Sequence, residues 1–351
     1  MVILVHTSQS VALSDYWLQI LAAYGQMGVQ LFFVASAYTL CLSSKRRKNE
    51  KNAIANFYIR RFFRVAPIYY LGIIGYFTLR FLLGCSQFGQ CSIPSQYTTL
   101  NVIANILFVN GIYAPANNNI VPGGWSIGTE VLFYLVFPFL FIIISKFLTN
   151  KFFVVSLPLF MVMISCSMLV LSGHDVRNNE FIYFSLFNQL SVFAVGISLF
   201  LIHTYHGSLI SRFKLTHLYV LMIGFSSISI YIGWIAPQAN SFIVVPFISA
   251  IAFAFLIEIF KRNKSNKLWF LESIGQRSYS MYIIHFVFAH ELSKAVNNNM
   301  LMDKFDSAIA LLICYLGTVV ATYYLAGFSA KYIEKYFIDK GKLMIARISS
   351  G

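Results

Sequence analysis

Residues 122–138 read Pro-Gly-Gly-Trp-Ser-Ile-Gly-Thr-Glu-Val-Leu-Phe-Tyr-Leu-Val-Phe-Pro, an apolar helix of membrane length with a carboxylate, Glu130, in its first half. On insertion scales an ionisable group at the centre of a membrane helix costs roughly 2.5–3.5 kcal/mol, so it is kept where it has work to do. Ser126, Glu130 and Tyr134 fall four apart, and that spacing puts them on one helix face. The remaining surface of the helix is lipid-like, so the polar face is expected to point into a protein interior.

The rest of the chain is built to match. Of 351 residues, 58% are hydrophobic and only 11% are charged, a balance that excludes an ordinary soluble domain. The net charge of +14 would suggest nucleic acid in a soluble protein. Here the basic residues sit in loops between apolar runs and report orientation instead, so no nucleic-acid partner is expected. Apolar runs of about 20 residues, the bilayer-crossing length, recur near 25–43, 65–84, 123–144, 152–172, 181–202, 218–235, 241–260, 278–293 and 307–330. Residues 1–7 read as the tail of one more. The expected fold is all-α, a polytopic transmembrane bundle of about ten spans with the first one clipped. Residues 98–113 are apolar but short and carry Asn101, Asn105 and Asn110, which suits an interfacial or re-entrant segment. The extramembrane loops are too short for a core of their own, so residues 1–351 read as a single membrane domain with no separate soluble part. No internal repeat and no cleavable leader is visible.

The loop 44–64 holds Lys45, Arg46, Arg47, Lys48, Lys51, Arg60, Arg61 and Arg64 against Glu50 alone and is expected on the cytoplasmic face. Alternation then places the loops near 145–151, 203–217 and 260–277 inside, the last with Lys261, Arg262, Lys264, Lys267 and Arg277, along with the tail after 331. The loops at 85–97, 173–180, 236–240 and 294–306 fall outside. Cys85 and Cys91 share an outer loop, where a disulfide is permitted. No cysteine or histidine spacing indicates a metal site, and the asparagine runs 117–119 and 297–299 read as polar loop filler.

Beside Glu130, three groups of residues carry possible chemistry. His6 stands at the expected outer end of the first span, where an imidazole is either a general base or an ordinary interfacial residue. Arg60, Arg61 and Arg64 cluster at the inner mouth of a span; guanidinium forks suit phosphate oxygens, and basic residues there also serve as membrane anchors. Ser278, Tyr282 and His285 share a face, and an imidazole at that depth needs a polar partner or a water-filled cavity. Arg80, Glu258 and Glu291 lie near span ends and are expected to snorkel. His203 and His206 sit in a basic loop and suggest no site.

In order, these segments resemble the acyltransferase 3 family of integral-membrane O-acyltransferases, which includes bacterial O-antigen acetylases. The matching pieces are Gly28-Val-Gln-Leu-Phe-Phe-Val-Ala-Ser-Ala, the Arg60/Arg61/Arg64 run, Trp125-Ser126 through Glu130 and Tyr134 to Pro138, and Ser278-Tyr279-Ser280 through His285. The resemblance implies transfer of an acyl group, usually acetyl from acetyl-CoA, to a hydroxyl of a cell-envelope glycan or lipid-linked sugar, by a multi-pass protein of the cell membrane, bacterial inner-membrane in type. The acyl-CoA is a co-substrate; no bound cofactor and no metal is implied. The family's essential first-span histidine matches His6, and its essential arginines match Arg61 and Arg64, with Arg60 beside them. The family usually places an arginine ten intervening residues before that histidine, and here only five residues precede His6. Either the natural start lies upstream or the chain is a truncated form. Gln30 and Ala37 stand where relatives often carry an acidic residue and a glycine.

The expected mechanism has acyl-CoA phosphates on Arg60, Arg61 and Arg64 and the thioester near His6 and Glu130. His6 acts as base or carries the acyl group, Glu130 orients its imidazole, and Trp125 and Ser126 shape the acceptor side, with Tyr134, Tyr282 and His285 in support. The competing readings are a transporter or flippase for a lipid-linked sugar, with Glu130 and His285 lining its path, and an inactive truncated homologue.

Overall fold

A computed structural model describes residues 1–88, 91–172, 180–238, 240–263, 269–298 and 305–350. Several sequence expectations therefore fall outside it: the loop 173–179, Lys264 and Lys267 of the basic loop, and residues 299–304 with the end of the second asparagine run.

Among the described residues every regular element is helical. In chain order these are α1 (Val2–Ser8), α2 (Tyr16–Tyr24), α3 (Gly28–Arg46), α4 (Ala53–Phe88), α5 (Thr99–Ile106), α6 (Gly124–Ile144), α7 (Lys151–Ser172), α8 (Glu180–Phe184), α9 (Leu186–Tyr205), α10 (Ser208–Ser211), α11 (Leu215–Ile230), α12 (Ser241–Arg262), α13 (Trp269–Phe286), α14 (Ser293–Val296), α15 (Ser307–Ser329) and α16 (Lys335–Ser350). The π-helical stretches Tyr231–Ile235, Val287–Leu292 and Ala330–Glu334 extend α11, α13 and α15.

Eight helical stretches among the described residues are long and apolar enough to cross a bilayer: Tyr16–Arg46, Ala53–Ser86, Gly124–Ile144, Lys151–Met168, Glu180–Tyr205, Leu215–Ile235, Ser241–Arg262 and Ser307–Ile348. The all-α polytopic bundle is thus the architecture of the chain. The two other expected spans take different forms. Residues 1–7 fall on the short α1, and 278–293 lies on α13 and its π extension, whose polar run Gln276–Ser280 lowers its apolar content. The segment 98–113 is α5 followed by 3₁₀ turns, well short of a span. Cys85 and Cys91 are joined as a disulfide.

The helices group into two compact units. One comprises residues 1–2, 24–48 and 136–266, and the other residues 3–23, 49–135 and 267–351. In the first unit α9 is the central helix, buried from Gln189 almost continuously to Leu201 and packed against α3, α7 and α12. Apolar burial does not by itself drive helices together in a bilayer, so close packing and interhelical hydrogen bonds must do so. Gly196 supplies the close packing: a Cβ there would stand 2.4 Å from the Val34 carbonyl oxygen and 2.9 Å from Ala37 Cβ on α3. Gln30 supplies the bonds, its Nε2 donating to Tyr183 Oη at 3.2 Å and to Gln189 Oε1 at 3.1 Å. The two positions where this sequence departs from its resemblance are therefore both used at the α3–α9 crossing. Ser198 Oγ donates to the Val154 carbonyl at 2.7 Å, and the Ser229 and Ser249 hydroxyls lie 2.7 Å apart between α11 and α12.

Glu258 does not snorkel. It is 3% exposed, with Oε2 2.6 Å from His203 Nε2 and Oε1 accepting from Arg262 Nε at 2.5 Å. Tyr38 Oη completes the cluster 2.9 Å from His203 Nδ1. Burying this carboxylate is tolerable because each of its oxygens faces a nitrogen.

The second unit holds α1, α2, α4, α5, the first half of α6, and α13 to α16. Its helices are tied by tyrosine and serine hydroxyls: Tyr279 Oη donates to the Val65 carbonyl at 2.8 Å, Tyr76 Oη donates to the Ile283 carbonyl at 2.6 Å, and the Ser280 and Ser329 hydroxyls lie 2.9 Å apart. α4 runs unbroken through Pro67 from Ala53 to Phe88. At 1.5 Å per residue that is about 54 Å, longer than a hydrocarbon core of about 30 Å, so the arginine run belongs to the same rigid rod as the span.

Candidate functional site

The candidate site residues His6, Arg60, Arg61, Arg64, Trp125, Ser126, Glu130, Tyr134, Tyr282 and His285 all lie in the second unit. The start of α6 is set by a network of asparagines. Asn110 Nδ2 donates to the Gly124 carbonyl at 3.1 Å and the Asn117 carbonyl at 3.3 Å, and Asn117 Nδ2 returns a bond to the Asn110 carbonyl at 2.8 Å. Asn118 Oδ1 accepts from Gly123 N at 2.9 Å. Tyr69 Oη on α4 donates to Asn105 Oδ1 at 2.6 Å, while Asn105 Nδ2 donates to the Asn101 and Ala116 carbonyls. Asn117 and Asn118, read from sequence as loop filler, are instead part of the clamp that aims α6.

Gly123 has φ +74°, and a Cβ there would stand 2.7 Å from Tyr282 Oη. A glycine is needed on both grounds. The space it leaves lets Tyr282 Oη donate to the Gly123 carbonyl at 3.0 Å while accepting from Ser126 Oγ at 2.8 Å. Ser126, Glu130 and Tyr134 are 4%, 2% and 6% exposed, so the polar face of α6 does point inward. Trp125 is buried beside them. Tyr134 Oη donates to Glu130 Oε1.

The arginines separate into different roles. Arg60 makes a fork with Glu50, at 2.8 and 3.0 Å, so its guanidinium is already engaged. Arg61 lies over the Tyr134 ring at 5.3 Å and the Phe57 ring at 5.6 Å, a double cation–π seat. Its Nε is buried without a hydrogen bond, and the Glu130 carboxylate is within electrostatic reach. Arg64 is exposed, with Glu334 in electrostatic reach.

His6 is surrounded by α13 and its π extension. Its ring centroid is 4.3 Å from Phe286 and 5.4 Å from both His285 and His290. Its Nδ1 lies 3.1 Å from Gln9 Oε1. That bond comes from Gln9, not from Glu130. Glu130 groups with Tyr134 and Arg61, and His6 with Gln9, Phe286, His285 and His290. Tyr282 links them, bonding to Ser126 through its hydroxyl and accepting from His285 Nδ1 through its carbonyl at 2.7 Å. A carbonyl can only accept, so His285 Nδ1 carries the proton and Nε2 keeps its lone pair. Nε2 is buried and makes no hydrogen bond. Among the described residues no three His, Cys, Asp or Glu side chains converge as metal ligands.

Sequence reasoning missed Gln9, His290 and Glu334. Glu334 is 8% exposed and accepts from Ser280 Oγ, although it sits in a stretch that reads as a basic tail. Gln9 carried a usable signal, since it lies three residues from His6 on one helical turn.

An α-helical membrane bundle with an inward-facing carboxylate, seated arginines and a histidine cluster defines a polytopic membrane protein with a polar interior site. The acyltransferase-domain family of type 3 matches residues 1–327, nearly the whole chain. The chain belongs to that family and is a membrane acyltransferase. No curated protein and no solved structure matches it significantly.

Proposed function

We propose that the chain is an O-acyltransferase that moves an acyl group, acetyl in the simplest case, from cytoplasmic acyl-CoA to a hydroxyl of a cell-envelope glycan or lipid-linked sugar. The observation that carries this reading is the seat of His6, packed on Phe286 between His285 and His290 with Nδ1 on Gln9. With Gln9 Oε1 accepting from Nδ1, Nε2 is left with a lone pair for proton abstraction.

In this reading His6 Nε2 takes the proton of the acceptor hydroxyl as its oxygen attacks the thioester carbonyl. The tetrahedral adduct collapses, the carbon–sulfur bond breaks, and the coenzyme A sulfur leaves with the electron pair. Arg61 and Arg64 hold the coenzyme's phosphates. Arg60 joins them only by giving up Glu50, so it is assigned a smaller share. Glu130 is reassigned from orienting His6 to holding Arg61, together with Tyr134. Trp125, Ser126 and Tyr282 shape the acceptor side, and His285 walls the base. The sequence-derived sidedness, arginines inside and His6 outside, matches a donor and an acceptor that approach from opposite faces.

The test is acyl transfer in membranes given labelled acetyl-CoA and envelope glycans. The unaltered chain should produce alkali-labile labelled ester, and His6→Ala should lose at least about 10²-fold in rate, the lower bound of general-base help. A His6→Ala protein that is inserted normally and transfers at the normal rate would refute the assignment.

A further inference from the structure

The helix that carries His285 changes pitch directly after it. On an α-helix two side chains five apart diverge by about 140°, so His285 and His290 would face different neighbours. From Val287 to Leu292 the backbone instead forms a π turn, whose bonds run from i to i+5. Both imidazoles consequently flank the same ring, each with its centroid 5.4 Å from that of His6. The turn is held against α1 and the residues just after it: Ser10 Oγ donates to the Ala289 carbonyl at 2.8 Å, and Phe286 lies under His6 at 4.3 Å while stacking on His290 at 5.8 Å. The flanking histidines differ in access. His285 is 1% exposed, and His290 is only half-buried.

Resting on the acyl-transfer reading above, we propose that His290 is a relay residue that receives the acceptor's proton from His6 and passes it to water at the rim of the site. It touches neither substrate and acts through His6. In the step it serves, the acceptor O–H bond breaks, the ester C–O bond forms and the C–S bond breaks. The proton goes to His6 Nε2, then through a bridging water to His290 and out to solvent. The sulfur leaves as thiolate and is protonated by water on its own side, so the step balances without any other reactant. The titratable groups around His290 are His6 on α1, His285 on α13 and the adjacent Glu291; Cys314 of α15 lies beyond, on the Ser293 carbonyl.

The experiment compares the unaltered protein with His290→Gln and His290→Ala in membranes, measuring kcat and KM for acetyl-CoA across pH, with and without added imidazole. The expected result is a fall in kcat of at least about tenfold with KM unchanged, and recovery of His290→Ala by imidazole. Unchanged kcat, or a loss that imidazole does not restore, would overturn the relay. A second measurement needs no substrate: the pH midpoint for carbethoxylation of His6 by diethyl pyrocarbonate, read by peptide mass. That midpoint should move in His290→Gln, and an unmoved midpoint would overturn the proposal. An unaltered chain that transfers nothing would defeat the functional reading, and carbethoxylation alone would then decide on the histidine pair.

Discussion

Arg61 is held by ring faces and Arg60 by a carboxylate fork, and that difference decides which guanidinium is available to a ligand. A ring face does not consume the N–H donors of a cation, whereas a carboxylate fork uses two of them up. Arg61→Lys retains the charge but loses the planar donor set. A lost charge-assisted hydrogen bond is worth about 1.5–3 kcal/mol, so KM for acyl-CoA should rise about 10–100-fold with the protein still inserted. Unchanged binding by titration with a non-transferable acyl-CoA would return this arginine to the role of membrane anchor.

At the scale of elements, the α3–α9 crossing depends on the missing side chain of Gly196. Gly196→Val would force the helices apart at that point, where overpacking typically costs about 1–3 kcal/mol. Thermal unfolding in detergent should show a clear fall in Tm, and a Tm equal to that of the unaltered protein would contradict the packing described. The inward face of α6 was legible in the sequence because i, i+4 spacing is a property of one helix alone. His290 was not legible: its distance from His285 reads as a different face until the π turn reorients it, and that turn is held by contacts with His6 and Ser10. Gln30 and Glu258 were obscure for a related reason. Gln30 bonds Tyr183 and Gln189, and Glu258 pairs with His203, partners that only the tertiary fold brings close. Asn117 and Asn118 were misread because polar runs look alike whether they meet water or clamp a helix.

The whole molecule combines an apolar exterior with 26 basic residues against 12 acidic ones, and by sequence the excess lies on the loops assigned to the cytoplasm. On the proposed reading, that asymmetry sets the direction of the chemistry: a polyanionic donor is collected where the arginines are, and its acyl group is delivered where His6 is. The measurement that tests this most directly uses sealed vesicles of known orientation carrying either the unaltered chain or His6→Ala. Labelled acetyl-CoA is added on the cytoplasmic face and ester is assayed on glycan confined to the opposite side. Labelled ester is expected across the membrane for the unaltered chain and none above background for His6→Ala. Label that stays on the donor side, or equal transfer by both proteins, would contradict the proposed reading.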